Sequence, residues 1–458
     1  MTWEFTSDHP IRSIFPLWIV YGWPLTILKW LSEGFGYDNV SPTVVFYALR
    51  IVMFTGNFVL EDWALHELLP NPRQRRVGII LVASSYVTWT WQNHTFSNSI
   101  ETLILLWCLV LIQRIRDDDD SPRLTASSIL AFLAVLGTFN RITFPAFLMI
   151  PLLYALPHFY QRPLSFFVAI IAALCTLILA LMVDTEWYTA SDVNMSNFHQ
   201  LAVFTPWNNL VYNFDSSNLA SHGVHPYYQH FLVNLPQLLG PATLLLVFNF
   251  RQSMHLNSAL FGTFVLSCFG HQEARFLLPA VPLILSSVDL PIRFSKVFFA
   301  VWLVFNLALG LLMGIYHQGG IVSTQLWISQ QNDITQAFWW KTQMPPNYLL
   351  GTRTVRVDIH DLMGRPGANM TIDILEHVRC ESAPSAVLVA PQSAIYLDQF
   401  VRRGSASREE PFTLEQIYTY KNHFNLDDMD PGEEGLSGTL SRVVGRRGLG
   451  VWRIHRRC

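Results

Sequence analysis

The most concentrated chemistry in the chain lies in five residues, His271-Gln272-Glu273-Ala274-Arg275. They sit between apolar runs at 257–269 and 276–290 with almost no loop to spare, so their polar heads fall at the edge of an apolar layer. Ionisable groups in such a place are costly and are usually paired or functional. Arg275 carries the fork that grips a phosphate through two N–H bonds, and His271 can donate to the same anion. Glu273 and Arg275 are two positions apart, too close for a helical i,i+4 pair, which points to a bound ligand or another helix as a third party. A second stretch, 184–229, contains no Lys or Arg. It includes Thr205-Pro206-Trp207-Asn208-Asn209-Leu210 and, further on, His222-Gly223-Val224-His225-Pro226. Aromatic faces, amides and imidazoles suit sugar recognition, while a loop packed on a membrane surface accounts for the same composition equally well. His222 and His225 have no third ligand at metal spacing, so no metal is expected. Ser97-Asn98-Ser99-Ile100-Glu101 and Arg141 are further polar residues set against apolar runs.

The elements that must position these residues are membrane helices. Of 458 residues 51% are apolar and only 14% charged, where a soluble domain carries about 25%. Apolar cores occur at 42–60, 77–92, 99–113, 124–140, 142–159, 164–183, 230–250, 257–269, 276–290 and 297–316, and an eleventh at 14–31 is either a span or an in-plane helix. The expected fold is therefore an all-α polytopic body of about 10–11 transmembrane or re-entrant helices over 1–316. Residues 317–458 hold 30 of the 63 charged side chains, which predicts a small soluble α/β domain there. In it Ser385-Ala386-Val387-Leu388-Val389-Ala390 reads as a buried strand.

If residue 41 lies outside the cytosol and the ten cores alternate, ten of the 15 Lys and Arg residues in 1–316 fall in cytosolic loops. The sequons at Asn39, Asn93, Asn194 and Asn369 then all fall on the opposite, lumenal side, together with the candidate site residues. The run Asp117 to Asp120 falls on the cytosolic side and reads as a solvated turn. A net charge of -3 gives no footprint for nucleic acid, and five cysteines without a C-x-x-C pair exclude a zinc site of the usual spacing and a disulfide scaffold.

The string His271 to Pro279 also resembles the H-[KQ]-E-x-R-F signature of endoplasmic-reticulum mannosyltransferases that use dolichyl-phosphate mannose. Two more segments carry the likeness in the same order: Phe96-Ser97-Asn98-Ser99-Ile100-Glu101, and the run from Asn218 through His225-Pro226 to Pro241. Gln272 is closest to the branch that adds the fourth mannose of glycosylphosphatidylinositol (GPI) anchors. The resemblance implies a GT-C-type fold and a lumenal active site in the endoplasmic reticulum membrane. It also implies inverting α1,2 transfer of mannose from the lipid-linked donor to a GPI precursor, without an essential metal or other cofactor. His271, Glu273 and Arg275 would then hold the donor phosphate, and Asn98, Glu101, Arg141, His222 and His225 the acceptor.

One departure stands out. Members of that family begin with a transmembrane helix and a loop bearing a His-Pro-Asp-Glu type motif, whose carboxylate is the base. Here Met1 runs at once into Thr2-Trp3-Glu4-Phe5, and Asp8-His9-Pro10 has the residue types in the wrong order and place. The expectation is an N-terminally shortened chain with its catalytic base unassigned. Alternatives are transfer to another mannose acceptor of the same family, and an inactive lipid-binding relative. A transporter fits less well, since there is no clear internal repeat and the polar residues gather at one face.

Overall fold

The computed structural model describes residues 3–37, 39–117, 122–189, 197–215, 223–351, 356–379, 385–401, 411–426 and 435–456. They fall into two compact units, one of Met1–Asp38 and Ala48–Leu307, the other of Asn39–Tyr47 and Ala308–Cys458. Of the sequence features above, Asn194, His222 and Asp118 to Asp120 lie outside the described residues.

The first unit is helical. Its main elements are α1 (Trp23–Gly34), α2 (Pro42–Leu68), α3 (Pro72–Ser84), α4 (Ser97–Arg116), α5 (Leu124–Asn140), α6 (Phe144–Gln161), α7 (Pro163–Tyr188), α8 (Thr205–Phe214), α9 (Met254–Ser267) and α10 (Ser295–Leu311). Proline opens α2, α3 and α7, where its missing N–H costs nothing. Asn71 caps α3 by accepting from the Arg73 and Gln74 amides. Among the described residues, four helices are long and apolar enough to cross a membrane: Pro42–Leu68, Ser97–Arg116, Pro163–Tyr188 and Ser295–Tyr316. The apolar window of α4 is 78% buried in protein and that of the other three 11%, which makes α4 the central post and leaves the others facing lipid. Helices α5 and α6 pack on α4, α7 on α5, and α9 on α6.

The remaining apolar cores are shorter or broken. The run 230–250 forms three pieces, His230–Asn234, Leu235–Leu239 and Ala242–Phe248. The break comes at Gly240, whose φ of +53° and whose position against Phe305 leave no room for a side chain; a Cβ there would lie 2.3 Å from the ring. Near Pro279 and Pro282 the run 276–290 likewise becomes the 3-10 turn Ala274–Leu277 and the short helix Ala280–Leu285. Irregular backbone of this kind is tolerated in a membrane body where protein covers it, and residues 277–285 are buried.

The second unit carries a five-stranded sheet of β1 (Gln336–Trp340), β2 (Asp358–Met363), β3 (Ala386–Pro391), β4 (Phe412–Tyr420) and β5 (Leu449–Arg456), in the order β2-β1-β3-β5-β4. Strand β1 runs parallel to β2 and β3, and β5 antiparallel to β3 and β4. Alternate residues divide between the faces as the two-residue period requires. Phe338, Leu388 and Trp452 meet Met370 and Ile374 of α12 (Gly367–His377) on one side. On the other, Trp339, Val387 and Val451 meet Ile321 and Ile328 of α11 (Gly320–Ser329). The sheet is thus covered on both faces, which is why β3 reads as a continuous apolar run.

Candidate active site

The site is assembled from four segments of the first unit, and a buried carboxylate ties two of them together. Asp184, near the end of α7, accepts from the Ser13 hydroxyl (2.9 Å), the Ile14 amide (2.8 Å), the Phe15 amide (3.3 Å) and the Thr205 hydroxyl (2.7 Å). A buried charge persists where hydrogen bonds satisfy it, and this one pins the N-terminal segment and the start of α8 to α7. Asn208 and Asn209 of α8 donate to the Pro10 and Ile11 carbonyls, and the Tyr188 hydroxyl to that of Arg12. Arg12 in turn holds Glu4 at 2.8 Å.

The second pair of segments is α4 and the turn after α5. Helix α5 ends at Asn140, and the extended backbone of Arg141 sends its side chain back over the start of α4. There its guanidinium lies 3.2 Å from the Ser97 hydroxyl, 3.4 Å from the Asn98 amide oxygen and 3.3 Å from the Thr143 hydroxyl. Its Nε is 3.0 Å from Oε2 of the wholly buried Glu101, whose Oε1 accepts from the Thr143 hydroxyl at 3.3 Å. Oε2 has no aligned hydrogen bond among the described residues, so that contact is mainly coulombic.

The loop 270–273 supplies the rest. His271 Nε2 is 2.9 Å from Glu273 Oε1, and Arg275 reaches both carboxylate oxygens, Nη2 at 3.1 Å from Oε1 and Nε against Oε2. The helical-spacing argument that required a third party for Glu273 and Arg275 fails here. Glu273 is extended (φ −97°, ψ 147°) and Ala274–Leu277 is a 3-10 turn, so side chains two apart can meet. Phe276 lies beneath both guanidiniums, at 5.0 Å from Arg141 and 5.8 Å from Arg275, with the His271 ring at 5.5 Å. Its π face offsets part of the repulsion between the two cations.

Gln272 points the other way. It is buried, accepts from the His230 amide at 3.0 Å, and donates to the Ser267 and Phe269 carbonyls at 3.0 and 2.9 Å. It therefore holds the loop's shape and leaves its neighbours, His271 and Glu273, to face outward.

These segments enclose a cavity of about 620 Å³, within the range of small-molecule sites. Its wall includes Glu4, Arg12, Asn98, Arg141, Asn209, Tyr212, His271, Glu273, Arg275 and Phe276. Three guanidiniums and an imidazole against two carboxylates suit an anionic guest. Asn98 also borders the cavity, with a buried amide nitrogen that has no hydrogen-bond partner among the described residues. Of the acceptor candidates, Asn98 and Arg141 line the cavity, whereas Glu101 stands behind Arg141. His225 is beside the site: its ring is 6.2 Å from that of His271, and its Nδ1 accepts from the Gln272 amide at 3.4 Å. Among the described residues no group of three His, Cys, Asp or Glu could hold a metal ion.

Burial alone would raise the Glu273 carboxyl, but the His271 hydrogen bond and the Arg275 charge outweigh it and hold it at about 2. The same hydrogen bond raises His271 above its ordinary value. The sign follows directly: His271 stays cationic at pH values where a free imidazole is neutral, and loses that charge as pH rises through its elevated value. Binding of an anionic ligand should weaken as pH rises through that step, and the step should vanish in His271→Gln; titrating ligand affinity against pH in both proteins checks this.

Asp184, Arg12 and Tyr212 are not singled out by the sequence, whereas Asn209 lies in the stretch whose amides suit sugar recognition. The first acid after the apolar run of the 26-residue α7 was the available signal for Asp184. Arg12 and the α8 residues are brought to the cavity by the hydrogen bonds of Asp184, Asn208, Asn209 and Tyr188.

Comparison with known proteins identifies the family. Residues 1–343 match the Alg9-like mannosyltransferase family. Relatives named GPI mannosyltransferase 4 from Emericella nidulans and Aspergillus oryzae are each 46% identical, across all of this chain and 90% and 91% of theirs. One of the same name from Yarrowia lipolytica is 37% identical over 85% of this chain and 76% of its own. No solved structure matches. The match runs through every segment that builds the cavity, from the N-terminal strap to the His271 loop: the chain belongs to the Alg9-like mannosyltransferase family.

Proposed function

We propose that this chain transfers mannose from dolichyl-phosphate mannose, in α1,2 linkage, to the third mannose of a GPI precursor in the endoplasmic reticulum membrane. The observation that carries the reading is the cationic wall of His271, Arg275 and Arg141 in a membrane body whose relatives bear the name GPI mannosyltransferase 4. In an inverting transfer the acceptor hydroxyl attacks the sugar's anomeric carbon, the bond to the phosphate oxygen breaks, and lipid phosphate leaves with both electrons. The charge that develops on that phosphate is what Arg275, Arg141 and His271 would stabilise. Glu273, held low by two cations, is a weak base; it orients His271 and Arg275 while another group takes the hydroxyl proton. Removing the protein from cells and analysing microsomal GPI precursors tests the assignment. A trimannosyl lipid should accumulate; a dimannosyl lipid would assign the preceding step instead, and no change would end the reading.

In this reading the cavity and the second unit face the lumen. Asn369, exposed on α12, is then a glycosylation acceptor, whereas Asn93 donates its amide to the Trp89 carbonyl at 2.9 Å. Endoglycosidase treatment should shift the protein's mobility, and Asn369→Gln should reduce that shift where Asn93→Gln leaves it. Absence of any Asn369-dependent shift would place the second unit on the other side.

A further inference from the structure

Helix α8 has two faces that do different things. Trp207, Val211 and Phe214, spaced i, i+4 and i+7, are 58%, 54% and 69% exposed and form one apolar stripe. The opposite side gives Asn209, Tyr212 and Asn213 to the cavity wall. A single helix, about 10–12 Å thick, therefore separates the cavity from whatever covers the stripe.

The position of α8 says what that is. Its start is fixed to the end of the spanning helix α7 by the Thr205–Asp184 bond at 2.7 Å and by the Val203 amide on the Thr185 hydroxyl at 3.1 Å. Trp187, in the same last turn of α7, is 48% exposed, as aromatics at a membrane–water boundary are. Helix α8 thus begins where α7 leaves the bilayer. Residues 197–215 contain no Lys or Arg, so the stripe has apolar area to offer rather than charge.

We propose that α8 lies in the membrane surface, with Trp207, Val211 and Phe214 among the lipid chains, and is the wall past which a lipid-linked substrate lays its hydrocarbon tail while its head enters the cavity. The role toward the substrate rests on the donor named above; the membrane contact does not.

The two parts are tested separately. The full chain, with its other cysteines replaced and one introduced at 211 or 213, is labelled with an environment-sensitive fluorophore and reconstituted in phosphatidylcholine vesicles. A nitroxide carried shallowly on the lipid should quench the Val211→Cys label at least about twofold more than the cavity-facing Asn213→Cys label. Equal quenching at both sites, or quenching of the 211 label by aqueous iodide alone, overturns the membrane contact. For the second part, Trp207→Gln with Val211→Gln should raise KM about tenfold for a long-chain donor, with kcat within about twofold. KM for a short, water-soluble isoprenyl analogue should stay unchanged. Equal changes for both donors overturn the tail-guiding role. A wild-type protein that uses neither donor refutes the assigned reaction, and the quenching still decides where α8 lies.

Discussion

Arg275→Ala should lower kcat/KM for the lipid-linked donor by about 10²- to 10³-fold, the usual cost of removing one donor aimed at charge that develops in a transition state. Arg275 is suited to that role because half of its side chain is exposed while its other side is braced by Glu273 and Phe276. The carboxylate fixes the direction of the guanidinium and leaves donors for the phosphate. Arg275→Lys should recover part of the loss, since a point charge remains but the planar two-pronged grip is gone. Arg275→Ala also removes one of the two cations that hold Glu273 low, so the Glu273 carboxyl should titrate at higher pH in that variant. A loss of transfer with an unchanged unfolding temperature separates a role in the reaction from a role in folding. Transfer in reconstituted vesicles, with donor varied, measures that loss. Unaltered kcat/KM in the alanine variant would remove Arg275 from the phosphate site.

The sequence announced the residues of the His271 loop because charge between two apolar runs is conspicuous. It did not announce their pairing, because spacing arguments assume a helix and the loop takes extended and 3-10 backbone. Gln272 shows the same limit. Its type stood out beside its neighbours, yet its amide satisfies three backbone groups of the interior and never reaches the cavity. Apolar runs located the helices well, but the breaks at Gly240 and Pro279 depend on tertiary fit, such as the Phe305 ring against Gly240. Asp184 was least legible. Acids after a long apolar stretch, here Asp184 and Glu186, look like a helix end, and only the fold brings Asp184 residues 13–15 and 205 as donors. Strand β3 was easier to read, since both faces of that sheet are covered and its residues are apolar throughout.

Glu101→Ala should destabilise the protein by about 3–5 kcal/mol, because it strands a buried cation. Glu101 is fully buried and the Arg141 side chain only 10% exposed, so water does little to screen the pair. A loss of that size is a large part of a typical stability of about 5–15 kcal/mol, and a marked fall in the unfolding temperature in detergent is expected. Arg141→Leu should cost a comparable amount, by leaving the carboxylate unpaired in its place. The informative protein is the double variant Glu101→Leu with Arg141→Leu. Replacing both charges by apolar groups removes the desolvation penalty of each, so its unfolding temperature should recover well above that of either single variant. Its transfer activity should not recover, because Arg141 lines the cavity where Glu101 does not. Stability and activity would then part company at one ion pair. Recovery of both would mean that Arg141 serves only to neutralise Glu101, and additive destabilisation would mean that the two side chains do not act as a pair.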